Sequence, residues 1–237
     1  MPIIKGLAQS LPRFAKRTLE KYRSITHSAP RPNRLTGNRL LYALDPHRYQ
    51  SQEPNWQDYR RLSKCQLPGD VRCWLLDSGS LTQHLLRASN GEFRVQIIDQ
   101  RWGRARPSEV KLLGLRRHEY VLIREVLLIC KQQPWVFARS ILPGSSLTGR
   151  LRFLRHFDNK PLGQMIFNDP NMVRQPFEIA KVMSDGLALP NTIEPLKNYW
   201  GRRSRFELSG KPLMVSEIFL KHFDAQFNPI ENLSSQS

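Results

Sequence analysis

Residues Trp200–Leu220 read WGRRSRFELSGKPLMVSEIFL. Two alternating runs, 202–209 and 213–220, meet at Ser209-Gly210 with Lys211 at the exit, which predicts two antiparallel strands joined by a tight turn. In the second run Leu213, Val215, Glu217 and Phe219 fall on one face, because strand side chains alternate with a period of two. A carboxylate therefore stands in an apolar row. The surrounding chain of 237 residues holds 37 Lys and Arg against 20 Asp and Glu, a formal charge of +17.

The same reading extends outward from this hairpin. Val121–Cys130 is a long apolar run rich in β-branched residues, and Trp135–Leu142 returns beside it after a turn expected at Gln132–Pro134. Phe93, Val95 and Ile97 alternate after the turn signal Asn90-Gly91, and Phe177–Met183 reads as a further strand. Leu81–Leu86 reads as a helix capped by Ser78 or Ser80, with helical turns on both sides of Pro68-Gly69. Residues 145–167 read as helix and loop, and 184–199 as loop. The gaps between strands fit hairpins and short excursions rather than βαβ units, so the class is α+β on an antiparallel sheet.

Composition sets the limits. The chain is long enough for one domain with a real core. Residues 1–55 hold ten Lys and Arg against Glu20, Asp45 and Glu53, and Ile4, Leu7, Leu11 and Phe14 recur at helical spacing before Pro30 and Pro32. This segment reads as a basic N-terminal extension with one short amphipathic helix, a surface for weak contact with membranes or other anionic surfaces. Residues 56–223 read as the globular domain and 224–237 as a flexible tail. The net charge permits non-specific attraction to nucleic acid, but no recognition module interleaves aromatics with Arg and Lys, so no specific nucleic-acid partner is expected. No apolar run is long enough to span a bilayer. Cys65, Cys73 and Cys130 form no CxxC pair, which fits reduced thiols in the cytoplasm. The six histidines show no HxxxH or HxH spacing, so no metal site is expected, and neither a Walker loop nor GxGxxG occurs.

Alternation picks out the candidate site. Arg124 falls with Leu122, Val126 and Leu128, and Arg139 with Trp135, Phe137 and Ile141, as Glu217 does on its own strand. A buried charge must be paired, neutralised or ligand-bound. An internal Arg–Glu pair is one reading. Two arginines to one glutamate leave spare positive charge, so a small carboxylate ligand is the other.

At these residues the sequence resembles the chorismate pyruvate-lyases, bacterial enzymes that open the ubiquinone pathway by making 4-hydroxybenzoate. The resemblance runs from Trp74 to Leu220. It is carried by Trp74-Leu75-Leu76 with Ser80-Leu81-Thr82, Arg124-Glu125-Val126-Leu127-Leu128 with Pro134-Trp135, Ala138-Arg139, Lys160-Pro161-Leu162-Gly163, and above all Trp200-Gly201-Arg202-Arg203-Ser204-Arg205 through to Glu217. It implies a single antiparallel sheet of about six strands with helices packed on it, no cofactor, and a monomer that turns chorismate into 4-hydroxybenzoate and pyruvate. It further implies that Arg124 holds the ring carboxylate with backbone N–H groups at Leu81 and Leu162, that Glu217 lies near the ring hydroxyl and the enolpyruvyl ether, and that Arg139 is a second arginine at the site. Glu217 could act as an acid when protonated or bind the hydroxyl when ionised. The fold also occurs in ligand-sensing domains of transcription regulators, so a non-catalytic binder of small aromatic carboxylates is the alternative. Segment 180–199 is longer than in compact members, and residues 1–55 have no counterpart there.

Overall fold

The computed structural model of the chain describes residues 53–63, 67–116, 118–157, 160–183 and 198–223. The expected N-terminal extension before Glu53, the tail from 224 and most of the long segment before Trp200 lie outside the described residues. The described part is one antiparallel sheet clad by helices on both faces. Its strands are β1 (Gln57–Asp58), β2 (Phe93–Gly103), β3 (Val121–Cys130), β4 (Gln133–Pro143), β5 (Val173–Arg174), β6 (Glu178–Met183), β7 (Asn198–Leu208) and β8 (Lys211–Phe219). They run in the order β1-β6-β7-β8-β4-β3-β2, with β5 beside β7. Eight strands thus replace the expected six or so. The two extras, β1 and β5, are two residues each, too short to show as an alternation.

The turns explain where the strand ends moved. Ser209 and Gly210 have φ of 51° and 71°, the twist that a two-residue hairpin demands. Lys131 and Gln132 form the β3–β4 turn with φ of 47° and 61°, not Gln132–Pro134 as expected. Neither residue is a usual turn former, so the sequence offered no signal there. Strand β7 starts at Asn198 rather than at 202, because it pairs with β6 through Asn198–Arg203.

Strand β3 is buried along its whole length, which accounts for its apolar residues on both sides. On the face here called the front lie α1 (Gly69–Leu76), α2 (Leu81–Ala88), a 3₁₀ helix (Gly149–His156) and α4 (Leu162–Phe167). On the back lies α3 (Pro107–Leu113). Each face carries two apolar clusters. At the front, Trp74, Leu75, Leu85, Val126 and Ala138 form one, and Leu122, Leu142, Leu162, Phe206 and Leu213 the other. At the back, Leu127, Phe137 and Ile218 belong to one, and Leu113, Ile123, Ile141 and Met214 to the other. Between the two clusters of each face runs a band of polar and charged side chains.

Candidate active site

The register fixes what shares the front band. Arg124 on β3 stands opposite Ser140, Ser140 opposite Val215, and Val215 opposite Ser204. One row along, Val126 leads through Ala138 and Glu217 to Arg202. Arg124 and Glu217 therefore project from the same face, two strands and one row apart, about 12 Å at the backbone for ordinary strand spacing and rise. The residues between them are short: Ser140, Ala138 and Val215. The floor between the two charged groups is thus built of short side chains.

Arg124 is buried, 3% exposed. Its Nη2 donates to the Lys160 carbonyl at 3.0 Å, and its guanidinium sits 5.5 Å from the centre of the Phe157 ring. Burial pushes the guanidinium down from its usual range to about 10. An open cleft of about 650 Å³ begins beside it, lined by Leu151, Phe153, Phe157, Lys160 and Met165 among others.

Helix starts supply donors to the same region. Helix α2 begins at Leu81 and α4 at Leu162, and their caps, Ser80 and Pro161, give no side-chain hydrogen bond to the first turn. The first-turn N–H groups are thus left to other acceptors. The two helix starts abut: a Cβ on Gly163 would stand 3.2 Å from Thr82 Oγ1.

Glu217 is met by Arg202, whose Nε donates to Oε2 at 2.6 Å. Arg202 is 1% exposed, and its Nη1 donates to the carbonyls of Trp74 and Asp77, both at 2.6 Å. These carbonyls close the C-terminal end of α1, where a cation is favoured by the helix dipole. Asp77 in turn faces His84 Nε2 at 3.2 Å and accepts from the Gly79 amide at 3.0 Å. Burial pushes the Asp77 carboxyl up, but His84 and Arg202 outweigh it and hold the group below its ordinary value. A buried chain of contacts thus runs from His84 through Asp77 and Arg202 to Glu217.

The expectation that Arg139 joins Arg124 and Glu217 is corrected. Arg139 stands opposite Glu125 and Ser216, in the row that includes Arg203, and so projects from the back. Its Nε and Nη2 donate to Glu109 at 2.7 and 3.1 Å, and its Nη1 to Glu125 at 2.6 Å. Trp135 also leaves the expected face. The register slips between Leu128 and Ile129, and Trp135 packs with the front cluster. Phe137 and Ile141 keep company with Arg139 as expected.

The sequence reading missed Arg202 as a partner. Its signal was the turn itself: a two-residue turn at 209–210 pairs Leu208 with Lys211 and, counting outward, Arg202 with Glu217. Arg174 was missed because it lies on a two-residue strand. The back row hid its acids, Glu109 and Glu125, because one is on a helix and the other adjoins Arg124 in sequence. At the domain's edge, Glu53 accepts from the Ser108 amide at 3.0 Å, so packing of this domain reaches Glu53. Among the described residues, no three of His, Cys, Asp and Glu converge as a metal site, and no helix is long and apolar enough to cross a membrane.

A family model described as "Chorismate lyase" matches residues 51–227. A probable chorismate pyruvate-lyase of Pseudoalteromonas atlantica is 39% identical over 180 residues, covering 73% of this chain and 90% of the relative. One of Azoarcus is 41% identical over 160 residues, covering 63% of this chain and 83% of the relative. Among solved structures, PhnF from Mycobacterium smegmatis is similar at 16% identity with a TM-score of 0.45, over 62% of this chain and 65% of that one.

Proposed function

The chain belongs to the chorismate lyase family, and on that premise we propose that it turns chorismate into 4-hydroxybenzoate and pyruvate in the front band of the sheet. We place it at the first step of ubiquinone biosynthesis, as a monomeric cytoplasmic enzyme. The observation that carries this reading is the common face of Arg124 and Glu217, separated by short side chains between two apolar clusters.

The reaction is an elimination. The C3–O ether bond breaks and its electron pair goes to the enolpyruvyl oxygen. The C4 hydrogen leaves as a proton, and its pair closes the third double bond of the ring. The released enolpyruvate takes a proton on its methylene carbon and becomes pyruvate. Aromatisation drives the sequence, so the protein's work is positioning and charge stabilisation. Arg124 suits the ring carboxylate, since a guanidinium binds a carboxylate through two donors. The amides at Leu81 and Leu162, at the starts of α2 and α4, add donors to that end of the ring. Glu217 belongs to the hydroxyl end. Arg202 holds its Oε2 and leaves Oε1 to accept from the ring hydroxyl, which favours the hydroxyl-binding role over the acid role. Arg139, tied to two carboxylates on the back, braces the strand that carries Ala138 and Ser140.

The full chain incubated with chorismate should yield pyruvate and 4-hydroxybenzoate in equal amounts, followed by coupled oxidation of a nicotinamide and by chromatography. Binding of 4-hydroxybenzoate with no pyruvate released would replace the lyase by a non-catalytic binding domain.

A further inference from the structure

Chorismate carries two carboxylates, and Arg124 accounts for one. With Arg139 on the back, the partner of the second must be sought on the front. Arg202 is committed, through Nε to Glu217 and through Nη1 to two carbonyls. We propose that Arg174 binds the enolpyruvyl carboxylate, at the end of the band opposite Arg124. This rests on the lyase reading above.

Arg174 pairs with Phe206 across β5 and β7, which directs its side chain to the front with Phe206. Its Nε donates to Ser204 Oγ at 3.0 Å, and Ser204 ends the row that Arg124 begins. Its Nη1 donates to the Ser78 carbonyl at 2.8 Å, in the loop between α1 and α2. Among the described residues, no carboxylate hydrogen-bonds to it, and Nη2 makes no hydrogen bond. Both partners are neutral, whereas each buried arginine of the back row meets a glutamate: Arg139 meets Glu109 and Glu125, and Arg203 meets Glu178.

Three rings hold the guanidinium in place. Phe167, Phe177 and Phe206 have their centres 5.9, 5.3 and 5.4 Å from it. A cation fixed by rings and neutral oxygens is preorganised for an anion rather than neutralised by one. Burial, with the charge of Arg202 beside it, pushes its pKa down to about 10 despite Glu217 and Asp77, so an arriving carboxylate would relieve a real cost. The location fits the substrate. Glu217 lies between the two arginines across the sheet, and in chorismate the ether and the hydroxyl adjoin each other at the end of the ring away from its carboxylate.

The test separates dianion from monoanion. Arg174→Gln should lower kcat/KM for chorismate by about 100-fold, the scale of a charge-assisted hydrogen bond in a desolvated site. It should leave the affinity for 4-hydroxybenzoate, which lacks the enolpyruvyl group, within about threefold of wild type. If Arg174 only ties the Ser78 loop to β7, substrate and product affinities fall together, and the inference is overturned. Unchanged kcat/KM also overturns it. Should the Gln variant not fold, Arg174→Lys keeps the charge and loses the fork, and the same split between substrate and product is expected at about tenfold. Wild-type protein that releases no pyruvate would overturn the lyase reading first. Wild-type turnover with no split in the variants would overturn the role of Arg174 alone.

Discussion

Front and back of the sheet each carry a polar row between two apolar clusters, and neighbouring residues build the two rows. Arg124 points forward and Glu125 back on β3; Glu217 points forward and Ser216 back on β8; Arg202 points forward and Arg203 back on β7. At the back the charges close on one another. Arg139 takes Glu109 and Glu125, and Arg203 takes Glu178 at 2.6 Å and Ser108 Oγ at 2.8 Å. At the front, Arg202 takes Glu217, but Arg174 donates to a hydroxyl and a carbonyl. A buried cation closed by carboxylates is finished as structure. One closed by neutral groups keeps its field for an anion that comes and goes. Net charge could not draw this distinction.

The contrast is broken most easily at Arg124. Arg124→Met should lower kcat/KM for chorismate by about 1,000-fold or more, because it removes a two-donor contact in a dry site. Its circular dichroism and melting should stay native. Turnover within about tenfold of wild type would mean that the front arginine does no more than the back ones.

Arg139→Met should do the reverse. It leaves Glu109 and Glu125 facing each other without their cation, which costs about 3–5 kcal/mol. For a domain of this size that is a fall in Tm of roughly 10 °C. The fraction that stays folded should keep kcat within about threefold of wild type, a change too small to signal a lost contact in the transition state. A large loss of kcat with unchanged melting would return Arg139 to the site and undo the division into faces. Glu217→Gln comes next in size. It keeps the shape and an acceptor toward Arg202 but weakens acceptance of the ring hydroxyl, so kcat should fall about 100-fold with little change in KM. Single-turnover formation of 4-hydroxybenzoate checks it.

The residues that decide the fold were legible because their pattern is local. The Trp200–Leu220 hairpin, β3 and α2 follow from alternation, the Ser209-Gly210 turn and the Ser80 cap position. That Arg124 and Glu217 each fall with the apolar side chains of their own strand was legible in the same way. Their relation to Arg139 was not legible, because which faces of separate strands coincide is set by register, and register depends on turn length. The β3–β4 turn is Lys131-Gln132, with no Gly or Asn to mark it. Misplacing it by a residue is enough to turn a strand over relative to its neighbour. Arg174 was out of reach for a different reason: its strand is two residues long and exists through its pairing with Phe206 and Glu207.

The smallest effect follows from pH, and the two faces should show it with opposite sign. At the back, burial raises the Glu109 carboxyl, but the charge and hydrogen bonds of Arg139 outweigh it and hold the group below its ordinary value. A lowered acid contributes stability that is present above its unfolded pKa of about 4 and is lost as pH falls through the lower folded value. At the front, Arg124 is a lowered base, about 10 against an ordinary 12.5. Its folded form holds fewer protons than its unfolded form between those two values, so its cost is constant below pH 10 and is relieved as pH rises above it. The stability difference between wild type and Arg124→Met should therefore be flat from pH 7 to about 10 and move in favour of wild type as pH rises past 10. A saturating aromatic carboxylate should stabilise wild type at pH 7 and leave Arg124→Met unmoved. Melting curves of both proteins across pH, with and without 4-hydroxybenzoate, read both quantities. A difference that stays flat through pH 10, with no ligand-dependent shift in wild type, would mean that Arg124 carries no desolvation cost and does not meet the ligand.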